Sequence, residues 1–474
     1  MIYSQLLVVV VLITSLTTSN AETWYVGPTR EYKVPSAVAT LVKDGDVVSI
    51  DPGEYVGDVA VWRAHKLTLR NNSNSQRPDV ILRADGKAAE QKAIWVIKGD
   101  SCVVYGIDFR DCAVPDRNGA GIRVEGTSII VSNCAFRKNQ DGILAGNNLN
   151  STIRVEHCEF EESGAGDGLS HAIYINHVKE FIFMFNYSHN TKVGHECKSR
   201  AHANYIAYNR LSNEDGTGSR NLDLPNGGSS IVIGNVFHKG ANAENGNFIG
   251  YGLEGMSDTV DNRLYLSHNT FVSDRGASTL VRMDTNTKNY SLVNNIIAGN
   301  IVLLVGGPSS LRDAGNFKGS VAAAKFRNPA VYDYALLSDS PARGMAANPY
   351  FAIYVVGGVA QERPLNALLV YVHPCEERLR LGTNDAGAYE YDKTTSVDEH
   401  SGTIHRAGDG NGGTIHRAGD GYNTTACCTS VLYSSTGSAV MLVDNPATID
   451  VSGLSAGVYF LVSNTSVRRI IVQN

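Results

Sequence analysis

Three stretches of this chain, each about one repeat apart, hold the side chains whose types and spacing could do chemistry. They read His171-Ala172-Ile173-Tyr174-Ile175-Asn176-His177, then His195-Glu196-Cys197-Lys198-Ser199-Arg200-Ala201-His202, then Asn221-Leu222-Asp223-Leu224-Pro225-Asn226. A Lys beside an Arg on one rigid face suits β-elimination at a uronic acid. That reaction needs the sugar carboxylate neutralised, the proton on the adjacent ring carbon removed, and the leaving oxygen protonated. A neighbouring guanidinium disfavours a charged amine, which makes Lys198 the candidate base. Arg200 is the candidate bidentate clamp on the carboxylate, and Tyr174 or His171 the candidate proton donor. Asp223 and Glu196 either orient Lys198 or bind a calcium ion that does the neutralising. Asn176, His195, His202, Asp223 and Asn226 are candidate sugar contacts. The bland alternative is a salt-bridge ladder on an exposed sheet, with Glu196 and Asp223 merely offsetting Lys198 and Arg200.

Such side chains converge only if the backbone stacks them. An apolar position closing a β-like run recurs at Phe109, Phe136, Phe160, Ser188, Leu211, Phe237, Phe271 and Ile297, with gaps of 27, 24, 28, 23, 26, 34 and 26 residues. A period of this length marks a solenoid. Each unit has short strands and turns but no helical period, so the expected fold is all-β: a right-handed parallel β-helix. Equivalent positions then stack about 4.8 Å apart. Strand alternation turns Cys197, Ser199 and Ala201 inward and Glu196, Lys198, Arg200 and His202 outward. Counting back from the repeat position makes Tyr174, Lys198 and Asp223 neighbours across three coils, with Asn176 and Arg200 one step along.

The organisation around this solenoid is read from composition. Residues 1–21 resemble a secretory leader, with an apolar run at Leu6–Leu16 and a small-residue site at Ser19-Asn20-Ala21. The β-helix is expected over 22–391, opened by a helical stretch at 34–42 that covers the N-terminal end. Residues 392–426 carry Gly-Thr-Ile-His-Arg-Ala-Gly-Asp-Gly twice and are expected to be a flexible linker. Residues 427–474 alternate like a small C-terminal β-sandwich. A net charge of −6 and scattered Lys and Arg argue against a nucleic-acid partner. No apolar run is long enough for a transmembrane helix. Eight cysteines do not make a disulfide scaffold; Cys102, Cys112, Cys134 and Cys158 are expected inside the coil, with Cys112–Cys134 or Cys134–Cys158 able to pair. The histidines have no compact zinc spacing, and the aspartate pair a glycoside hydrolase wants is missing around Gly164–Gly168.

Two resemblances follow from particular residues. The tail Ile449-Asp450-Val451-Ser452-Gly453-Leu454-Ser455-Ala456-Gly457-Val458-Tyr459-Phe460, with Arg469-Ile470-Ile471-Val472, resembles the C-terminal sorting domain of the type IX secretion system of Bacteroidota. That implies export, then release or attachment at the cell surface. The body, with Ser338-Asp339-Ser340-Pro341-Ala342 and Asn384-Asp385-Ala386-Gly387-Ala388-Tyr389-Glu390-Tyr391, resembles β-helix proteins of the polysaccharide-lyase type. Within it, Lys198-Ser199 followed by Asn204 and Asn209 is similar to the chondroitinase B and alginate-lyase family, where that Lys is the base. The pattern departs at Val193, where a calcium-binding acid is expected, and at Leu222-Asp223-Leu224-Pro225, where an Arg-His is expected. The resemblance therefore carries over Lys198 and leaves out the metal site and that Arg.

Two functions remain open on sequence: a secreted, monomeric lyase acting on an acidic polysaccharide, with calcium as the only cofactor considered, or a non-catalytic cell-surface glycan binder or adhesin. Deleting residues 392–474 should leave the solenoid's thermal unfolding unchanged and alter where the protein ends up. Calorimetry with cell fractionation checks both, and a lowered midpoint would contradict the domain reading.

Overall fold

The computed structural model describes residues 21–392, except 74, 76, 257–259, 349, 350 and 383, together with five strands beyond residue 400. The expected leader and most of the expected linker lie outside the described residues. From Thr23 to Gly319 the chain winds through three long parallel sheets of twelve, eleven and ten strands, visited in turn by each coil. One coil reads Cys102–Tyr105 in the twelve-stranded sheet, Ile107–Arg110 in the eleven-stranded sheet and Ala120–Val124 in the ten-stranded sheet. This is a parallel β-helix. Within strands, alternate residues fill the interior, as in Ile122, Ile143, Ile173 and Leu222 on the ten-stranded sheet.

The repeat position is one column. Phe109, Phe136, Phe160, Ser188, Leu211, Phe237, Phe271 and Ile297 pair in unbroken register along the eleven-stranded sheet. Phe109, Phe136 and Phe160 stack with centroids 5.2 and 4.8 Å apart, and Phe237 stacks on Phe271 at 4.7 Å. Ser188 and Leu211 separate these two runs, so the rings form two stacks rather than one. Cys102, Cys112, Cys134 and Cys158 line the interior as free thiols, with the Cys134 N–H directed at Cys158 Sγ at 3.4 Å; the alternative of a Cys112–Cys134 or Cys134–Cys158 disulfide is not realised.

A tight bend joins the twelve- and eleven-stranded sheets. Its first residue takes positive φ, as at Asn133, His157, Phe185, Tyr208, Gly234, His268, Asn294 and Gly315. The residue after it is buried: Cys134 and Cys158 in the early coils, then Asn186, Asn209, Asn235, Asn269, Asn295 and, only partly, Asn316. Each carboxamide oxygen from Asn209 onward accepts both the backbone N–H and the Nδ2–H of the asparagine one coil earlier, at 2.7–3.0 Å.

The ends differ from expectation in detail. The opening helix is a single 3₁₀ turn, Pro35–Val38, started by Pro35 and continued by the Leu41 and Val42 N–H groups donating to Val38 O; Val38 is fully buried against the first coil. After the last coil the chain turns back along the stack. Ala388 N–H donates to Thr270 Oγ1, Leu368 N–H to Tyr208 Oη, and Cys375 Sγ lies against Cys158 O. Tyr354, Leu365, Ala367 and Leu369 thereby cover Met184, Tyr205, Ile231 and Tyr265 on the twelve-stranded sheet. The tail strands Ser430–Ser434, Ala439–Val443, Gly457–Val462 and Val467–Gln473 belong to one five-stranded sheet; a second layer to complete a sandwich is not among the described residues. Its fifth strand, Thr403–His405, comes from the first nonapeptide copy, in the stretch expected to be linker, and pairs with Ile471–Gln473.

Asn235→Ala removes a carboxamide that makes five hydrogen bonds, donating to Ile206 O, Ile233 O and Asn269 Oδ1 and accepting from both the backbone N–H and the Nδ2–H of Asn209. It should cost roughly 3 kcal/mol or more, close to the roughly 3–5 kcal/mol for Phe136→Ala. Denaturant unfolding of the two variants measures the comparison, and a cost below 1 kcal/mol for Asn235→Ala would show that the ladder is not structural.

Candidate active site

On the ten-stranded sheet the outward column runs Leu144, Tyr174, Lys198, Asp223, Gly250 and Arg282. Tyr174, Lys198 and Asp223 are therefore direct neighbours on successive strands. Arg200 stands one residue beyond the strand Lys198–Ser199, its N–H donating to Ile175 O. Its guanidinium reaches over the column. Nε donates to Tyr174 Oη at 2.9 Å, NH1 to Asn226 Oδ1 at 2.5 Å, and NH2 to Glu254 Oε2. Since Tyr174 Oη accepts from Arg200, its own O–H is free to point outward. Asn226 Nδ2 donates to Gly255 O at 2.8 Å, tying Arg200 to the turn that carries Glu254.

Lys198 was expected on an exposed face, yet its side chain is only 10% exposed because Tyr174, Asp223 and Glu254 surround it. Nζ lies 3.1 Å from Glu254 Oε1 and 3.8 Å from Asp223 Oδ2. Asp223 is fully buried, and burial raises its pKa against the opposing charges of Arg220 and Lys198. Its Oδ1 accepts from Arg220 NH1 at 3.1 Å, while Oδ2 has no hydrogen-bond partner and faces His195 Nε2 at 3.5 Å. Gly250 follows Asp223 in the column for a steric reason: a Cβ there would sit 2.5 Å from Asp223 Oδ1.

His171 and His195 lie parallel, 4.7 Å apart, at the start of their coils. His171 Nδ1 accepts the His195 N–H at 3.0 Å, and His195 Nδ1 accepts the Arg220 N–H at 3.2 Å. Burial, reinforced by the Lys198 charge, pushes the His171 pKa down to about 3, so its imidazole is neutral and sealed. This corrects its assignment as proton donor to substrate. His195, also driven well below its usual range by burial, positions Asp223 rather than meeting solvent. Asn176 accepts the His177 N–H at 3.0 Å, and half-buried His202 stands at the next corner.

Glu196 points the other way from its expected direction. The strand holds only Lys198 and Ser199, and a bend at Glu196 turns its side chain into the coil. There it is fully buried, accepting from Ser188 Oγ at 2.9 Å, Thr191 Oγ1 at 2.6 Å and Asn213 Nδ2 at 3.2 Å. In two earlier coils, Phe136 and Phe160 press on Gly121 and Gly142 at this same corner. The polar exception in the phenylalanine column thus has a partner: Ser188 vacates ring volume and Glu196 fills it. A calcium ion held jointly by Glu196 and Asp223 does not fit, since the two carboxylates face opposite sides of the sheet and Asp223 is ringed by Arg220, Lys198 and His195.

Glu254, Arg220 and Gly250 escaped the sequence reading. The signal for Glu254 is the longest gap, 34 residues between Phe237 and Phe271, which supplies the turn Gly252-Leu253-Glu254-Gly255. Burial opposes ionisation of Glu254, but hydrogen bonds from Arg200 and Lys198 hold its pKa below the usual value.

Beneath the site, Asp141 Oδ1 accepts the His171 N–H at 2.8 Å, and burial raises the Asp141 pKa to about 7. An acid raised on folding contributes full stability below its unfolded pKa, losing it as pH rises through the folded one. Asp141→Asn should therefore raise the melting temperature at pH 8 and change it little at pH 4. Thermal melts at both values test this; equal effects would mean Asp141 ionises normally.

Residues 56–172 match the family described as a right-handed β-helix region. A search of curated proteins finds no match. Among solved structures, pectate lyase Pel9A superposes with a TM-score of 0.52 at 12% identity, covering 79% of this chain and 97% of its own. The alginate lyase AlyGC of the PL6 family aligns at 13% identity with a TM-score of 0.28, covering 72% of this chain and 55% of its own. With three long parallel sheets and almost no helix, the chain has the right-handed parallel β-helix fold found in pectate lyase.

Proposed function

We propose that the protein is an extracellular lyase that cleaves an acidic, uronate-containing polysaccharide by β-elimination. The observation that carries this reading is the placement of Lys198 and Arg200 side by side on the outward face, with Tyr174 Oη hydrogen-bonded to the guanidinium. Arg200, fixed by Asn226, neutralises the sugar carboxylate and so stabilises charge developing on it as the adjacent proton leaves. Lys198, in its neutral form once it has given up its own proton to solvent, takes that proton, oriented by Asp223 from below. Tyr174 donates its O–H to the departing glycosidic oxygen. Asn176 and His202, at the edge of the same face, contact neighbouring sugars. A leader and a sorting-type tail, as read from the sequence, agree with action outside the cell.

A non-catalytic glycan binder is the second reading, favoured by the ion pairing of Lys198 with both Asp223 and Glu254. Incubation with polygalacturonate, alginate and chondroitin, followed by ultraviolet absorbance of the unsaturated product, separates the two. Lyase action predicts absorbance that Lys198→Met abolishes. Arg200→Ala should weaken both binding and turnover, and Asp223→Asn should lower the rate. Lys198 is enclosed, so Lys198→Met should also cost about 1–3 kcal/mol by leaving Asp223 short of a cation. Full activity in Lys198→Met would remove the mechanism.

A further inference from the structure

Among the described residues Glu254 is the one carboxylate that touches both cations of the outward face, with Oε1 3.1 Å from Lys198 Nζ and Oε2 accepting from Arg200 NH2. The cations are recessed, with side chains 10% and 15% exposed, whereas that of Glu254 is 45% exposed and lies above them on the solvent side. Its backbone is held separately, through Glu254 N–H to Pro225 O and Asn226 Nδ2 to Gly255 O. The side chain can thus swing away while the turn stays in place. A pyranose uronate presents the same group: two oxygens on one planar carbon, one for an ammonium and one for a guanidinium.

We propose that Glu254 is a specificity-determining residue, an internal stand-in that occupies the carboxylate subsite between Lys198 and Arg200 until a substrate uronate displaces it. The inference rests on the reading of this face as a uronate site. A glycan without a carboxylate cannot replace Glu254, since it would leave two recessed cations without a counter-charge. Methyl-esterified or neutral sugars are therefore excluded at this subsite, and only an acidic unit exchanges one ion pair for another at small net cost. Losing the competitor should improve capture of acidic sugars.

Titration calorimetry with oligogalacturonate, oligoalginate and oligochondroitin tests this on the full chain, with methyl-esterified oligogalacturonate as the uncharged control. Glu254→Gln should tighten one acidic oligomer about tenfold, the effect of one charge-assisted contact, and leave the ester unbound. Glu254→Ala should act in the same direction, which guards against a new hydrogen bond from the glutamine. Unchanged or weaker binding in both variants, with wild-type melting temperatures, overturns the proposal, as does failure of every acidic oligomer to bind either form. Tighter binding without unsaturated product upholds the subsite and overturns the lyase reading. Product formation with an unchanged Kd does the reverse.

Discussion

Everything on the outward face depends on the hydrogen-bonded column of asparagine carboxamides inside the bend between the twelve- and eleven-stranded sheets. From Gly106 onward the coils enter that bend through a residue of positive φ, and several of these, including Phe185 at 58° and Tyr208 at 55°, are bulky. Such backbone is unfavourable for a residue with a Cβ by roughly 1–2 kcal/mol. From Asn186 onward the following asparagine offsets it, because its oxygen accepts one or two N–H groups and its Nδ2 bonds a carbonyl, leaving the buried turn with its polar groups paired. A slip of one residue would break every rung and turn Tyr174, Lys198 and Asp223 into the core. The ladder therefore sets the register that makes three residues, 24 and 25 positions apart, into neighbours.

The change from cysteine to asparagine along this corner coincides with a change in the interior. Early coils, with Cys134 and Cys158, are filled by stacked phenylalanines. The coils behind the outward site hold Ser188, Glu196, Asn213, Asn221 and Lys239, all fully buried. Lys239 Nζ donates to Ser219 O at 2.5 Å, and burial drives its pKa well below the usual value. Buried polar groups of this kind are costly unless paired and then restrict the packing to one arrangement. The site thus stands on the polar section of the rod, where both faces of the ten-stranded sheet carry ionisable groups.

The fold was legible because the closing apolar position repeats at every coil and interior packing tolerates few residue types there. Counting back from it found the Tyr174–Lys198–Asp223 register, since the segment that runs from the ten-stranded sheet through the twelve-stranded sheet to the closing position varies little in length in those coils. Strand alternation failed at Glu196, where a two-residue strand meets a bend and two successive side chains both face inward. His171 was misjudged for a related reason: polarity alone does not show that a ring is stacked and sealed by its neighbour's backbone. Glu254 and Arg220 lie outside the strands, in segments without periodicity: the long gap in the repeat marks an extra turn near Glu254, but neither residue's contact with the column can be read from it. The helix expected over 34–42 is a 3₁₀ turn at Pro35–Val38 followed by hydrogen-bonded turns as far as Val42, so the apolar spacing marked the segment and not its helical type.

The chain that folds back after the last coil changes how the rod assembles. In a plain solenoid each coil needs only its neighbours, so stability grows locally and order can spread from any point. Here Cys375 meets Cys158 across 217 residues and Leu368 meets Tyr208 across 160. These contacts close long loops and raise the contact order of the coils they cover, which slows their final consolidation. They also bind coils at a distance into one cooperative unit, so the rod cannot fray one turn at a time past the strapped section. The coils bearing Lys198 and Arg200 fall within that section, and their rigidity is bought late in folding by residues that never touch the site.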